Sequence, residues 1–172
     1  MNMLRWFRER KSRKNIDKAA EAALSVCAVN PNIERQRDLI EVCQSVLDDP
    51  DDSSRLALLV MQIPLLGVLG AIADSGKDSD GSLSRSVQES VLTTFDFGPN
   101  VSSNTIYAAF GAMRNSLAPL LATNDLNELG NWLLSAASES SPGFYPDQIQ
   151  DVGVIAEEFY RLGHAAASKV LS

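Results

Sequence analysis

From Ile16 onward, apolar residues return every three or four positions. Ile16, Ala19, Ala20, Ala23, Leu24 and Cys27 form one stripe, with Asp17, Lys18, Glu21 and Ser25 on the other side, the spacing of an amphipathic helix. Asn30-Pro31 breaks this helix, and Glu34 falls in the first turn of the next, which is predicted to run to about Leu47 on Ile40, Cys43, Val46 and Leu47. Asp48-Asp-Pro-Asp-Asp52 ends it, with Asp52 or Ser53 placed to cap a third helix. Leu83, Val87, Val91 and Phe95 mark a further helix, with Ser86 and Glu89 at capping-box spacing near its start. Phe97-Gly-Pro-Asn100 stops that helix. Ser102 or Ser103 can cap the next, on Ile106, Phe110, Met113, Leu117, Leu120 and Leu121, with Pro119 expected to interrupt it. Another helix starts near Asp125, and the last starts near Asp147. Ser138–Tyr145 is a long loop between them, turning at Pro142-Gly143.

Leu56–Ala73 departs from this amphipathic pattern. It is eighteen residues long, carries no charge and has Gln62 as its one polar side chain. A membrane-spanning helix needs about 20 such residues, while a helix wrapped by others in a core is also apolar all round. Acidic residues crowd both ends and neither end has a Trp or Tyr anchor, which favours the core helix. Pro64 is expected to bend it. No strand-length alternation stands out. The predicted fold is all-α: a single compact bundle of six to eight helices around a central apolar helix.

Charge divides the chain in two. Residues 1–14 hold six of the fifteen basic side chains against one acid, Glu9, a net of +5, whereas residues 15–172 sum to −12. The expected organisation is a basic amphipathic arm, 1–14, on an acidic globular domain, 15–172. So acidic a domain argues against nucleic-acid binding by its surface as a whole. Cys27 and Cys43 are too few for a disulfide framework. With a tight turn at Asn30-Pro31, Cys43 would also lie about 12 Å along the helix from the level of Cys27, at ~1.5 Å per residue, too far to bridge. Both are read as buried free thiols. The start has no secretory pattern, and its Arg-rich composition is shared with mitochondrial transit peptides. Asn2 stands where myristoylation needs glycine. The expected location is cytoplasmic, at an inner membrane surface.

Candidate chemistry is sparse. Gly70-Ala-Ile-Ala-Asp-Ser-Gly76-Lys77-Asp78 echoes a phosphate loop, but it has one residue too many, an aspartate in place of the magnesium-binding hydroxyl, and a helix where a strand should precede it. With Gly81 at the sixth position of a calcium loop, Asp78 and Asp80 fit, but Gly76 and Val87 fill the first and twelfth positions, where carboxylates are required. His164 is the single histidine, and Glu157 and Tyr160 can share its helical face. A proton-transfer cluster there competes with a structural histidine, and Glu157 with Arg161 has ion-pair spacing. The expectation is therefore no enzyme, no catalytic residues, no cofactor and no metal.

The arm is the strongest functional signal. Met3, Trp6 and Phe7 share a helical face with Leu4 beside them, interleaved with Arg5, Arg8, Arg10, Lys11, Arg13 and Lys14. Rings among cations suit a lipid–water interface. The expected target set is Leu4, Arg5, Trp6, Phe7, Arg8, Arg10, Lys11, Arg13 and Lys14 on an anionic membrane. The expected role is a peripheral structural or scaffold protein that binds partners, or copies of itself, through the helical body. Phosphates of nucleic acid, with Trp6 stacking on bases, are the alternative target and would make the chain a nucleic-acid-associated structural or regulatory protein; a third reading is a solubilising N-terminal helix whose Trp6 and Phe7 pack on the bundle. Met-Asn-Met-Leu-Arg-Trp-Phe-Arg8 resembles the short basic starts of some matrix proteins of enveloped RNA viruses, over eight residues. Phe144 and Tyr145, large rings in a Ser-rich loop, are a second candidate contact. Exposure of both would mark a partner surface, and burial of both would mark packing against the bundle.

Overall fold

The structure is a computed structural model that describes residues 14, 17–22, 25, 34–93, 102–138 and 143–172. Six helices have defined bounds: α1 (Glu34–Ser45), α2 (Pro50–Asp74), α3 (Ser82–Leu92), α4 (Ser103–Thr123), α5 (Leu126–Ala137) and α6 (Pro146–Leu171). Residues 17–22 are helical as well. No strand occurs among the described residues, so the chain is all-α, as its periodicity requires.

α2 is the centre. It packs chiefly on α6 and also touches α1, α3, α4 and α5. Leu56, Val60, Ile63, Leu65, Val68 and Ile72 are all at most 1% exposed. It is long and apolar enough to cross a membrane by composition, yet two-thirds of its apolar window is buried inside the fold. The uncharged run is thus the core that the other helices cover. Phe110 of α4 and Phe159 of α6 are the largest side chains sealed in the same core. Ala19 and Ala20 join it while Asp17, Lys18 and Glu21 face solvent, matching the predicted stripe.

Helix ends show where local spacing misleads. Asp49, not Asp52 or Ser53, caps α2: its Oδ1 accepts the amides of Asp51 at 2.8 Å and Asp52 at 3.2 Å. Pro50 explains this, since it presets φ for a first helical residue and lacks the amide that position would leave unsatisfied. Ser53 instead lies buried, its hydroxyl donating to the Leu47 carbonyl at 2.7 Å. Likewise Ser86 and Glu89 do not start α3. Asp78 reaches forward to accept the amides of Leu83 at 2.8 Å and Ser84 at 3.1 Å, across a turn in which Gly81 takes φ +70°. Ser102, one of the two serines expected there, caps α4, and α5 starts near Asp125 as predicted, with Asp125 itself as the cap. α4 runs through Pro119 without interruption. Asn115, whose carbonyl loses a donor to the proline ring, is on the exposed side, where water substitutes. α2 likewise stays helical across Pro64.

Glycines set how closely the long helices meet. A Cβ on Gly163 would strike the Pro64 carbonyl, and one on Gly67 would strike the Tyr160 carbonyl and His164 amide. Gly130 and Gly153 do the same for α5 against α6, facing the carbonyls of Ile149 and Leu126. Gly163→Ala and Gly153→Ala should each lose more than about 2 kcal/mol in urea unfolding, because backbone cannot yield to the added carbon. Gly111→Ala, in a helix with open space around it, should gain about 0.5–1 kcal/mol.

Cys43 is completely buried and is a free thiol; burial pushes it from 9.0 up to about 12. Cys27 lies outside the described residues. Because the folded value is the higher one, the contribution of Cys43 to stability is present below pH 9.0 and drains away as pH climbs toward about 12. Between those limits, the urea midpoint of the native chain should fall more steeply than that of Cys43→Ala. At about pH 8 the folded thiol should resist iodoacetamide, and it should react on denaturation.

Candidate functional site

The residues singled out in the sequence separate into three places. Leu4, Arg5, Trp6, Phe7, Arg8, Arg10, Lys11 and Arg13 lie outside the described residues. Lys14 is helical and exposed, so the one described member of the arm presents its charge to water. Phe144 and Tyr145 part company at the start of α6. Phe144 packs against the core, whereas Tyr145 is 73% exposed. Joint exposure and joint burial are therefore both corrected to a split. Gln148 causes it by fixing the backbone there: its Oε1 accepts the Tyr145 amide at 3.0 Å and its Nε2 donates to the Val46 carbonyl at 2.8 Å. Adjacent side chains in extended backbone point to opposite sides, and Tyr145 takes the outer one.

The phosphate-loop and calcium-loop residues have other tasks. Lys77 Nζ donates to the Leu171 carbonyl, closing the C-terminal end of α6 where helix carbonyls lack partners. Asp78 is occupied by the first turn of α3. Asp80 accepts the Ser82 amide at 3.1 Å, and Ser82's hydroxyl and amide hold its carboxyl below the usual range. Among the described residues no three His, Cys, Asp or Glu side chains stand together as a metal set.

His164 gains a partner that sequence reasoning missed. Glu157 turns away to pair with Arg161, as its spacing predicted. Asp74, the last residue of α2, takes the place beside the ring: His164 Nε2 and Asp74 Oδ2 are 2.9 Å apart. On the other side, Ser168 Oγ lies 3.4 Å from His164 Nδ1. The Tyr160 ring stands 6.1 Å from the imidazole, its hydroxyl against Gly70. Burial, then the Asp74 charge, push that phenol upward.

Hydroxyl, imidazole and carboxylate in one line suggest nucleophile activation. The surroundings favour a fastening role. Asp74 is 74% and His164 33% exposed in their side chains, Ser168 sits on the open side of α6, and backbone amides inside a helix are already bonded, so none is aimed at a developing oxyanion. What the line does is tie the end of α2 to α6, just beyond the Gly67–Gly163 crossing. So exposed a pair is worth at most about 1 kcal/mol. The sequence signal was weak, since Asp74 and His164 are ninety residues apart.

Truncating the two rings separates packing from contact. Phe144→Ala should cost about 1–3 kcal/mol, less than a fully buried aromatic, whereas Tyr145→Ala should leave the unfolding midpoint unchanged within about 0.5 kcal/mol. Thermal and urea unfolding of both variants measure this directly.

Comparison with protein-family models, with curated proteins and with solved structures finds no match to this chain. Its function is therefore argued from its own residues.

Proposed function

We propose that the chain is a non-enzymatic, peripheral membrane-associated scaffold, attached through residues 1–14 to an anionic, inner membrane surface and engaging protein partners or further copies of itself through the acidic body. The observation that carries this reading is the segregation of charge, +5 on the arm against −12 on everything after it. The burial of α2 is compatible with it: among the described residues, the one helix apolar enough to enter a bilayer has most of that surface in the core. Membrane attachment is assigned to the arm. Lys14 is exposed, and Ala19 and Ala20 a little further along are buried.

Energetics are adequate for reversible attachment. Each basic residue near an anionic surface contributes about 1 kcal/mol, so a net of +5 supplies roughly 5 kcal/mol before screening. Trp6 and Phe7 add partial burial of their rings. Attachment of this kind weakens steeply with salt, and it strengthens when several copies bind one surface. Exposed Tyr145 is the described residue best suited to a partner contact on the body, being large, amphipathic and free of the packing that holds Phe144.

Co-sedimentation with vesicles tests the assignment. Full-length protein should pellet with phosphatidylserine-containing vesicles at low salt and stay soluble with phosphatidylcholine alone. Replacing Arg5, Arg8, Arg10 and Lys11 together by Ser should abolish pelleting while the circular dichroism of the body is retained. A chain that ignores anionic vesicles but retards RNA or DNA in a gel would move the arm to nucleic-acid phosphates. A chain that does neither would sink both uses of the arm.

A further inference from the structure

We propose that the half-open recess between α2, α3 and α4 binds a small organic anion, a phosphate or carboxylate on an apolar or aromatic body, held by Arg85 and Arg114. The recess has a volume of about 620 Å³, within the range of small-molecule sites. Leu69 supplies an apolar base from α2, Ser84, Arg85 and Gln88 form the α3 side, and Tyr107 and Arg114 form the α4 side.

Arg85 and Arg114 differ from Arg37, Arg55 and Arg161 in their surroundings. Residues 15–172 hold nine basic side chains against twenty-one acidic ones, so a cation there has carboxylates in excess to choose from. Arg37 pairs with Asp38 and Glu41, Arg55 with Asp52, and Arg161 with Glu157. Lys77 is held by the Leu171 carbonyl. Arg85 and Arg114 have no ion pair within 4 Å among the described residues; Arg85 acts on Asp80 only as a charge at longer range, and Asp78 and Glu89 line the same recess. The Asp78 carboxylate is committed to the amides and hydroxyl at the start of α3. The Glu89 carboxylate, four residues after Arg85 on α3, makes no ion pair with either arginine among the described residues, and its charge adds to the desolvation that raises Tyr107. Two arginines from different helices thus line one half-open recess. Planar guanidinium forks match carboxylate and phosphate oxygens two at a time. The Tyr107 ring and Leu69 offer the apolar contact that an inorganic ion would not use. The site is independent of the arm.

Phenyl phosphate is a suitable probe, titrated into the full chain by calorimetry and by NMR of the arginine Nε–Hε signals. It should bind at millimolar concentration or below, more tightly than inorganic phosphate and without a counterpart for phenol, and it should shift the Arg85 and Arg114 signals. Arg85→Gln and Arg114→Gln should each weaken binding about tenfold, the loss of one charge-assisted contact, and the double variant should abolish it. Both side chains are exposed, so the fold should persist. Replacing Arg5, Arg8, Arg10 and Lys11 by Ser should leave the affinity unchanged. A phosphatidylserine vesicle that displaces phenyl phosphate and perturbs the same two signals would name a lipid headgroup as the source of the anion. Displacement only by soluble phosphates would name a free metabolite. Binding that persists in the double variant, or the absence of any shift at Arg85 and Arg114 under a large excess of probe, would overturn the proposal.

Discussion

The absence of two Cβ atoms, at Gly67 and Gly163, governs the rest of the structure. Where α2 and α6 cross, each helix lays a glycine on the other's backbone: Gly163 on the Pro64 carbonyl, Gly67 on the Tyr160 carbonyl. Helices normally stand 8–10 Å apart according to the side chains between them, and glycine allows the near end of that range. Such proximity lets Ile63, Leu66 and Val68 on one helix meet Ile155, Ala156 and Phe159 on the other in a single buried cluster. It also fixes the position of Asp74 relative to His164, because both follow their crossing glycines along the same pair of axes. The polar tether at the end of the helices is therefore a consequence of the apolar contact in their middle.

Much of this fold is legible in the chain, for a physical reason. Helix existence follows from local periodicity, and the apolar stripes that fall on described residues form buried or half-buried faces. Helix starts are readable where the cap adjoins the first turn, as at Ser102 and Asp125. They mislead where a neighbour overrides the pattern. Pro50 moves the start of α2 back to Asp49, and Asp78 caps α3 from beyond a glycine turn. The Gly67–Gly163 contact is not readable. In a linear sequence those glycines look like weak points in two helices, and only the three-dimensional pairing shows that a side chain would not fit.

The candidate sites divide along the same line. The arm is visible because charge is a one-dimensional property that survives without a fold. Arg85 and Arg114 are not, since nothing in the spacing of α3 and α4 indicates that two arginines share a recess or that the Asp78 carboxylate beside them is already occupied. Asp74 escapes notice as the partner of His164 for the same reason, while Glu157, the nearer candidate in sequence, is captured by Arg161. Short-range pairing inside a helix is the easier geometry. It leaves the imidazole for a residue from another element.

An acidic body and a basic arm on one chain raise the question of how a surface that attracts one avoids repelling the other. Distance and screening answer it. At physiological salt, charges more than about 8 Å apart in water are largely masked from each other. Fourteen residues span roughly 21 Å as a helix at ~1.5 Å per residue, and up to about 46 Å when extended. In either case the arm is longer than the screening length, so its +5 can act at a headgroup layer while most of the body's −12 lies beyond the layer's reach. The same body charge disfavours flat adsorption of the globular part, which would bring carboxylates such as Asp48, Asp49 and Asp51, exposed at the α1–α2 turn, against anionic lipid. Were the chain attached as proposed, by the tip alone, its helical faces would stay open to partners, which is the geometry a scaffold needs.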